Sequence, residues 1–521
     1  MVLEIIATVL AIGLVSLYVF VNVVLKEYAK GLYKKWKSYS STLDVDAFVP
    51  AEDTPNYLKI GLLQSLSVGA SRVPSKEAIP ISSKPSPNVD GLLVTQRAAD
   101  DKVVKVENDT KNVIVVGTIR MGFGHHRIAY AASSWAIDEK EVNETYFHDL
   151  LNVKSQEAAL IESTDKVYSK LSRWSSNLGG FVESLWGKMM LSGNADALRI
   201  SGLTAMHLTP LLQHYPKDTP IIATHCYVAL AAVAAGFTNV INLVIDNHPQ
   251  WFVVVPGCLN LVQGPVNYQS FLKMGVSPNN IQLAGHWIPK SLVIHIPTDT
   301  QTRITRLSSS KTKLRILIPV GGAGAQRKFI IQLVRALVPF VQSNQVQLLL
   351  NAGDHPHMKA AFVKVLQEFK ISYTTVTSTQ GVNDFQSSLL KEGTEPKEDV
   401  TLFAFDDYFP AVATTDILCR VSDVLACKPS ELAFYPIPKL MIRRVGDHEQ
   451  YSAIRAAELG DGTLEARTIP DCLSFLQNFL QPDSPLLTHM NTRIQLNHQQ
   501  GIYDGCKNAV QIALQKSKKQ S

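Results

Sequence analysis

The chain is short of charge: 18% of its 521 residues are Asp, Glu, Lys or Arg, against roughly 25% in soluble domains. Low charge with 46% hydrophobic residues fits buried parallel sheets or a membrane-facing surface. A net charge of +5 and the lack of any arginine-rich tract exclude a nucleic-acid-binding arm. The six cysteines show neither C-x-x-C nor finger spacing, so no zinc module is expected, and they read as reduced, packed thiols. Neither a Walker lysine motif nor a full G-x-G-x-x-G occurs, which sets aside the common nucleotide fingerprints.

Charge is wholly missing from Ile5 to Leu25, IIATVLAIGLVSLYVFVNVVL. That length spans the roughly 30 Å hydrocarbon layer as a helix. Glu4 precedes the run and no cleavage site follows, unlike a secretory signal. Lys26, Lys30, Lys34, Lys35 and Lys37 come next, which places the bulk of the chain on the cytoplasmic side of a single-pass anchor. Tyr18, Tyr28, Tyr33 and Trp36 are expected at interfacial depth.

Residues 38–110 read as a partly disordered linker, with SRVPSKEAIPISSKPSPNVDG (Ser71–Gly91) extended. Within it, Tyr57–Leu66 suits a short helix lying on the membrane or on a domain, and the D-x-D of Leu43–Asp46 is a weak metal and sugar-nucleotide signal. Beyond Lys111 apolar runs alternate with helix-compatible segments, the pattern of βαβ units. Strands are expected at Asn112–Gly117, Pro220–His225, Val240–Asp246, Leu259–Gly264 and Ile281–Gly285, and again at Leu314, Val346–Gly353, Asp399–Phe405, Asp416–Val421 and Pro438–Arg444. The expected architecture is α/β: two facing Rossmann-like domains at 111–297 and 314–485, a linker at 298–313, and a helical tail at 486–521.

Each half opens on a strand, a Gly-rich turn and a helix. Gly122 and Gly124 in the first turn, and Gly321, Gly322 and Gly324 in the second, let a phosphate or sugar approach backbone N–H groups at a helix start. His125 and His126 follow the first pair. An imidazole beside the positive end of a helix stays neutral and is available as a base.

GFGHHRIAYA resembles the G-x-G-H-x-x-x-A loop of glycosyltransferase family 28, which includes the peptidoglycan UDP-GlcNAc transferase and the monogalactosyldiacylglycerol synthases; His125 and Ala129 fall on its His and Ala. VIDNHPQWF is similar to the H-x-x-W of the galactolipid enzymes at His248 and Trp251, with Asp246 nearby. GGAGAQ (Gly321–Gln326) matches the second Gly loop. Ser422–Tyr451 resembles the donor-binding segment, placing Ser430, Glu431, Pro438, Gln450 and Tyr451 on matching positions. The chain departs from that segment at Lys428–Pro429 and at Pro436–Ile437.

The resemblance implies a GT-B fold and a membrane-anchored, inverting, metal-independent hexosyltransferase with no cofactor. It would move a hexose from a UDP-sugar to a lipid hydroxyl. His125 and His248 would be the catalytic residues, His125 as the base, Glu431 would bind ribose, and Arg327, Arg443 and Arg444 would meet the diphosphate. The acceptor side would hold Gly122, Gly124, His126, Asp246 and Trp251. Tyr168–Met190, mixing aromatic and basic residues, suits lipid insertion. Two alternatives share the fold: a UDP-sugar 2-epimerase, and a transferase-like tethered binding protein without activity.

Overall fold

The computed structural model describes residues 20–69, 71–99, 112–121, 123–162, 194–308, 312–321, 326–391, 393–446 and 449–520. Most of the apolar run Ile5–Leu25, the turn residues Gly122, Gly322 and Gly324, and Tyr168–Met190 fall outside them. Among the described residues no helix is long and apolar enough to cross a membrane.

A π-helical turn, Phe20–Leu25, leads into α1 (Lys26–Lys37), and α2 (Tyr57–Ser67) packs against it. The first sheet has eight strands: β1 (Ile81–Pro85), β2 (Leu92–Arg97), β3 (Val113–Thr118), β4 (Glu144–Asp149), β5 (Ile221–Ala223), β6 (Val240–Leu243), β7 (Leu259–Val262) and β8 (Ile281–Leu283). Their order is β1-β2-β4-β3-β5-β6-β7-β8, parallel except for the β1–β2 hairpin. Helices α3 (Gly124–Ile137), α4 (Asp196–Met206), α5 (Cys226–Ala234) and α6 (Pro265–Lys273) accompany these strands. The β-branched run Val113–Val116 makes β3 a central strand buried along its whole length, as a parallel strand covered on both faces must be.

After α7 (Ile296–Leu307) the second lobe alternates β9 (Leu314–Pro319), α8 (Arg327–Gln342), β10 (Val346–Gly353), α9 (Pro356–Glu368), β11 (Thr374–Val376), α10 (Thr379–Leu389), β12 (Val400–Ala404), α11 (Tyr408–Cys419), β13 (Val424–Cys427) and β14 (Lys439–Met441). The six strands are all parallel, in order β11-β12-β10-β9-β13-β14. Helices α12 (Gln450–Leu459), α13 (Ile469–Phe479) and α14 (Pro485–Gln499) complete the lobe. Then α15 (Gly505–Gln520) returns to pack on α3, β5 and β6 of the first. At the crossing Gly505 lies against the Gly285 carbonyl, where any Cβ would collide.

Several expectations change. Ser71–Gly91 is not wholly linker: β1 pairs antiparallel with β2 and extends the first sheet. Its polar, proline-rich composition suits an edge strand, which needs only one buried face. The polar stretch expected to link the lobes is mostly α7. Asp299 and Arg303 are buried in it because Asp299 pairs with Arg420 at 3.1 Å and Arg303 donates to the Pro436 carbonyl at 3.1 Å. Asp416–Cys419 closes helix α11 rather than forming a strand. Periodicity alone does not separate a short apolar run in a strand from one in a buried helix.

Tyr33 and Trp36 are buried in the protein and not at an interface with lipid. The D-x-D carboxylates are structural: Asp44 caps the turn Val45–Phe48, and Asp46 receives Arg199 at 2.9 Å, Lys37 at 3.0 Å and the Tyr33 hydroxyl at 3.0 Å.

Candidate functional site

Strand order locates the site. In the first sheet the chain passes from β3 to β4 on one side and then to β5 on the other, so the loops leaving β3 and β5 diverge. In the second sheet the same happens between β9 and β13. Such switch points open a crevice beyond the carboxyl ends of the strands. Here the two crevices meet. A Cβ placed on Gly124, at the start of α3, would lie 3.3 Å from Glu431 Oε2, just after β13. A side chain there would press on the carboxylate of the opposite lobe, which would have to give by a few tenths of an ångström.

His125 and Glu431 are therefore brought to one crevice. His125 Nδ1 lies 2.6 Å from the Thr224 carbonyl. A carbonyl only accepts, so Nδ1 carries the proton and Nε2 holds the lone pair. The His125 ring is 4.5 Å from that of His225, the residue leaving β5. Burial holds the His125 pKa below its ordinary value, outweighing the Thr224 hydrogen bond and the charges of Asp246 and Glu431. The imidazole is neutral at pH 7. Asp246, at the end of β6, is half-buried and acts electrostatically on His125 and on Lys428.

Glu431 has a partner that the sequence did not announce. Arg127, on the first turns of α3, donates through Nη1 to Glu431 Oε1 at 2.6 Å, and through Nη2 to the Val412 carbonyl at 3.3 Å. Its Nε lies 3.6 Å from Asp416 Oδ1. Burial would raise the Glu431 pKa, but the positive charges of Arg127 and Lys428 outweigh it and hold the carboxylate ionised. Burial pushes Asp416 up to about 6 despite Arg127. Arg127 therefore ties the two lobes together through the carboxylate carried over as the ribose ligand.

Lys428 is the second such residue. A Cβ on Gly321 would stand 3.5 Å from its side chain, and it pairs with Glu449. Burial would lower the Lys428 pKa, yet Glu449 and Glu431 raise it above its usual value, so the cation persists. A residue that breaks the donor-loop pattern thus sets a half-buried positive charge beside the second Gly turn. Around the rim, Phe123 packs, with its ring tilted, against His355 and Tyr408 at 5.7 and 5.4 Å, and Arg120 covers the Tyr408 ring at 3.6 Å. All these contacts join the lobes.

The other candidates scatter. His126 turns away to Asp149, 3.1 Å off, where both are buried. The His248 ring packs at a tilt 4.6 Å from that of Tyr451, pinning α12 to the first lobe. Trp251, expected at the cleft, is instead in the first lobe's core, edge-on to Phe48 at 6.2 Å. Its bulk suits a packing role once the turn Val45–Phe48 folds over it. Arg444 is held by Glu465 at 2.6 Å and so is engaged away from the diphosphate role. Arg443 and Arg327 are exposed, as is Gln450 at the start of α12, while Ser430 is half-buried beside Glu431.

Four buried histidines give the first prediction. His125, His148, His225 and His286 are all held below the ordinary value, His148 at about 4, in each case chiefly by burial. The unfolded chain protonates them near pH 6.5 while the folded chain does not. Stability present above pH 6.5 is then lost as pH falls towards 4, with at most about 1.4 kcal/mol per pH unit from each group. Asp416, raised to about 6, and Asp461, also raised by burial, act the other way, but the histidines outnumber them, His207 at about 4 adding to the four. Urea midpoints should fall steadily between pH 7 and 4.5; a flat profile contradicts this electrostatic description.

Residues 74–273 match a family described as a domain of unknown function (DUF6937), and residues 276–514 match another, DUF6938. The boundary between them falls just before β8. No curated protein matches the chain. Among solved structures, the chain is similar to UDP-GlcNAc 2-epimerase from Neisseria meningitidis bound to UDP-GlcNAc, at 11% identity over 78% of this chain and 100% of that one, TM-score 0.42. It is also similar to an α,α-trehalose-phosphate synthase from Burkholderia vietnamiensis, at 11% identity over 78% and 100%, TM-score 0.39, and to S. aureus MnaA with UDP, at 11% identity over 73% and 91%, TM-score 0.38. The α/β fold of two facing parallel-sheet lobes rests on the strand order.

Proposed function

We propose that the chain is a UDP-sugar-dependent hexosyltransferase of GT-B type, anchored by its N-terminal segment and acting with inversion on a lipid hydroxyl at the cytoplasmic leaflet. The observation that carries the reading is the meeting of the two switch points: a neutral histidine on one lobe and an ionised glutamate on the other share one crevice. The donor lies on the second lobe. Glu431 accepts from the ribose hydroxyls, and the start of α8 together with Lys428 faces the diphosphate. The acceptor hydroxyl gives its proton to His125 Nε2, its oxygen attacks the anomeric carbon from the face opposite the leaving group, and UDP departs with the bonding electron pair. Positive charge at Lys428 stabilises the charge that develops on the leaving oxygen.

Calorimetric titration with UDP tests this directly. Wild-type protein should bind, and Glu431→Gln, which keeps the side chain's shape, should bind at least about tenfold more weakly, the 1.4 kcal/mol of one charge-assisted hydrogen bond. Equal affinity removes Glu431 from the nucleotide site. UDP release from a UDP-hexose only when lipid extract is added supports transfer; binding without any turnover supports the tethered binding protein instead.

A further inference from the structure

Helix α2 divides its residues between the protein and its surroundings. Ile60, Gly61 and Gln64 face inward and are buried, while Leu62 is 62% and Leu66 74% exposed and Leu63 is exposed beside them. Three leucines in one turn of helix exceed the scattered apolar exposure normal for a surface. The helix meets α1 closely, since a Cβ on Gly61 would lie 3.1 Å from Ala29 Cβ. Ala29 is flanked by exposed Tyr28 and half-buried Lys30, with exposed Lys26, Lys34 and Lys35 along the same helix. Before α1, Phe20, Val23, Val24 and Leu25 are exposed as well.

We propose that α1 and α2 together form a docking face for an anionic lipid surface, a second contact beyond the N-terminal segment. Two observations select this occupant. The face is continuous with the uncharged stretch that ends at Leu25, so the chain enters α1 at the bilayer surface whenever that stretch is inserted. The two packed helices also expose both lysines, on α1, and leucines, on α2, the pairing that binds acidic headgroups while leucines enter the acyl boundary. The Ala29–Gly61 contact and the packing of α2 on α4 fix this face to the first lobe. Docking would then orient the crevice relative to the membrane instead of leaving it on a swivel. The proposal uses no cleft residue, so it stands or falls apart from the sugar-transfer reading.

The experiment uses the full chain with vesicles of phosphatidylcholine and phosphatidylglycerol carrying a doxyl quencher on the acyl chain. A fluorophore is attached at Leu66→Cys or, as control, at Leu464→Cys, which is 70% exposed on the second lobe. Quenching several-fold stronger at position 66, reduced when phosphatidylglycerol is omitted and reduced by Lys34→Glu with Lys35→Glu, is expected. Equal quenching at both positions overturns the proposal. An alkaline carbonate wash reports separately on the inserted segment: release of the protein refutes the anchor, while the docking face still predicts quenching at low salt.

Discussion

If the chain is the hexosyltransferase proposed above, replacing His125 with alanine should lower the transfer rate by about 100-fold to 10,000-fold, the usual contribution of a positioned base, with little change in UDP affinity. The expectation follows from three features. The Thr224 carbonyl fixes the proton on Nδ1, burial keeps the ring neutral, and the ring adjoins the turn that faces Glu431. Because its pKa is held down, the acid limb of the kcat/KM profile should fall below pH 6.5, the ordinary histidine value. A His125→Ala protein that retains more than a tenth of the wild-type rate contradicts the assignment. His225→Asn is a useful companion, since His225 packs on His125 and caps α5. It should shift the acid limb by moving the His125 ring, leaving nucleotide affinity unchanged.

Breaking the Arg127–Glu431 pair has the largest expected effect on stability. Removing one member of a buried pair typically costs about 3–5 kcal/mol, because a charge is left without a partner. Arg127→Met strands Glu431 beside Asp416 in a largely water-free contact between lobes. Glu431 is still slightly accessible, which favours the low end of that range. The double variant Arg127→Met with Glu431→Leu leaves no orphaned charge on that pair and should recover most of the loss. Urea unfolding of the four proteins of the cycle measures the coupling. Additive effects would mean that the two side chains do not interact across the crevice.

The pair also bears on nucleotide binding. Glu431 Oε1 is committed to Arg127, whereas Oε2 faces Gly124, so a bound ribose either uses the second oxygen or displaces the guanidinium. If displacement occurs, Arg127→Met tightens UDP binding even as it destabilises the fold. Calorimetry and urea unfolding of the same variant separate the two effects.

Much of the fold was legible because parallel sheets buried on both faces write continuous apolar runs. Val113–Val116 is such a run, Leu314–Ile318 and Val346–Leu350 are broken only by Arg315 and Gln347, which hydrogen-bond to each other, and each is a central strand. The edge hairpin β1–β2 was not legible, since one-sided burial tolerates Ser, Lys and Pro in β1. Nor was α7, whose polar residues are buried only because Arg420 and the Pro436 carbonyl wait in the other lobe. The two Gly turns could be found from glycine spacing, and Gly124 and Gly321 do face the opposite lobe and Lys428 respectively. Arg127, Asp416 and Lys428 were hidden for a common reason: each acquires its meaning from a residue remote in sequence. His225 left a weak signal, a histidine closing the strand Pro220–His225. That signal matters only once strand order puts β5 next to β3. Trp251 misled in the opposite direction, because the H-x-x-W match placed it on the acceptor side, whereas it packs in the first lobe's core beside Phe48.

On the proposed function, the crevice built where both sheets reverse their strand order takes the nucleotide, with its ribose on Glu431. A crystal structure of the chain with UDP tests it most directly. The account predicts ribose hydroxyls within hydrogen-bond distance of Glu431 and the diphosphate at the turn following Gly321, beside Lys428. UDP bound elsewhere, with the Arg127–Glu431 contact intact and the crevice empty, would contradict it.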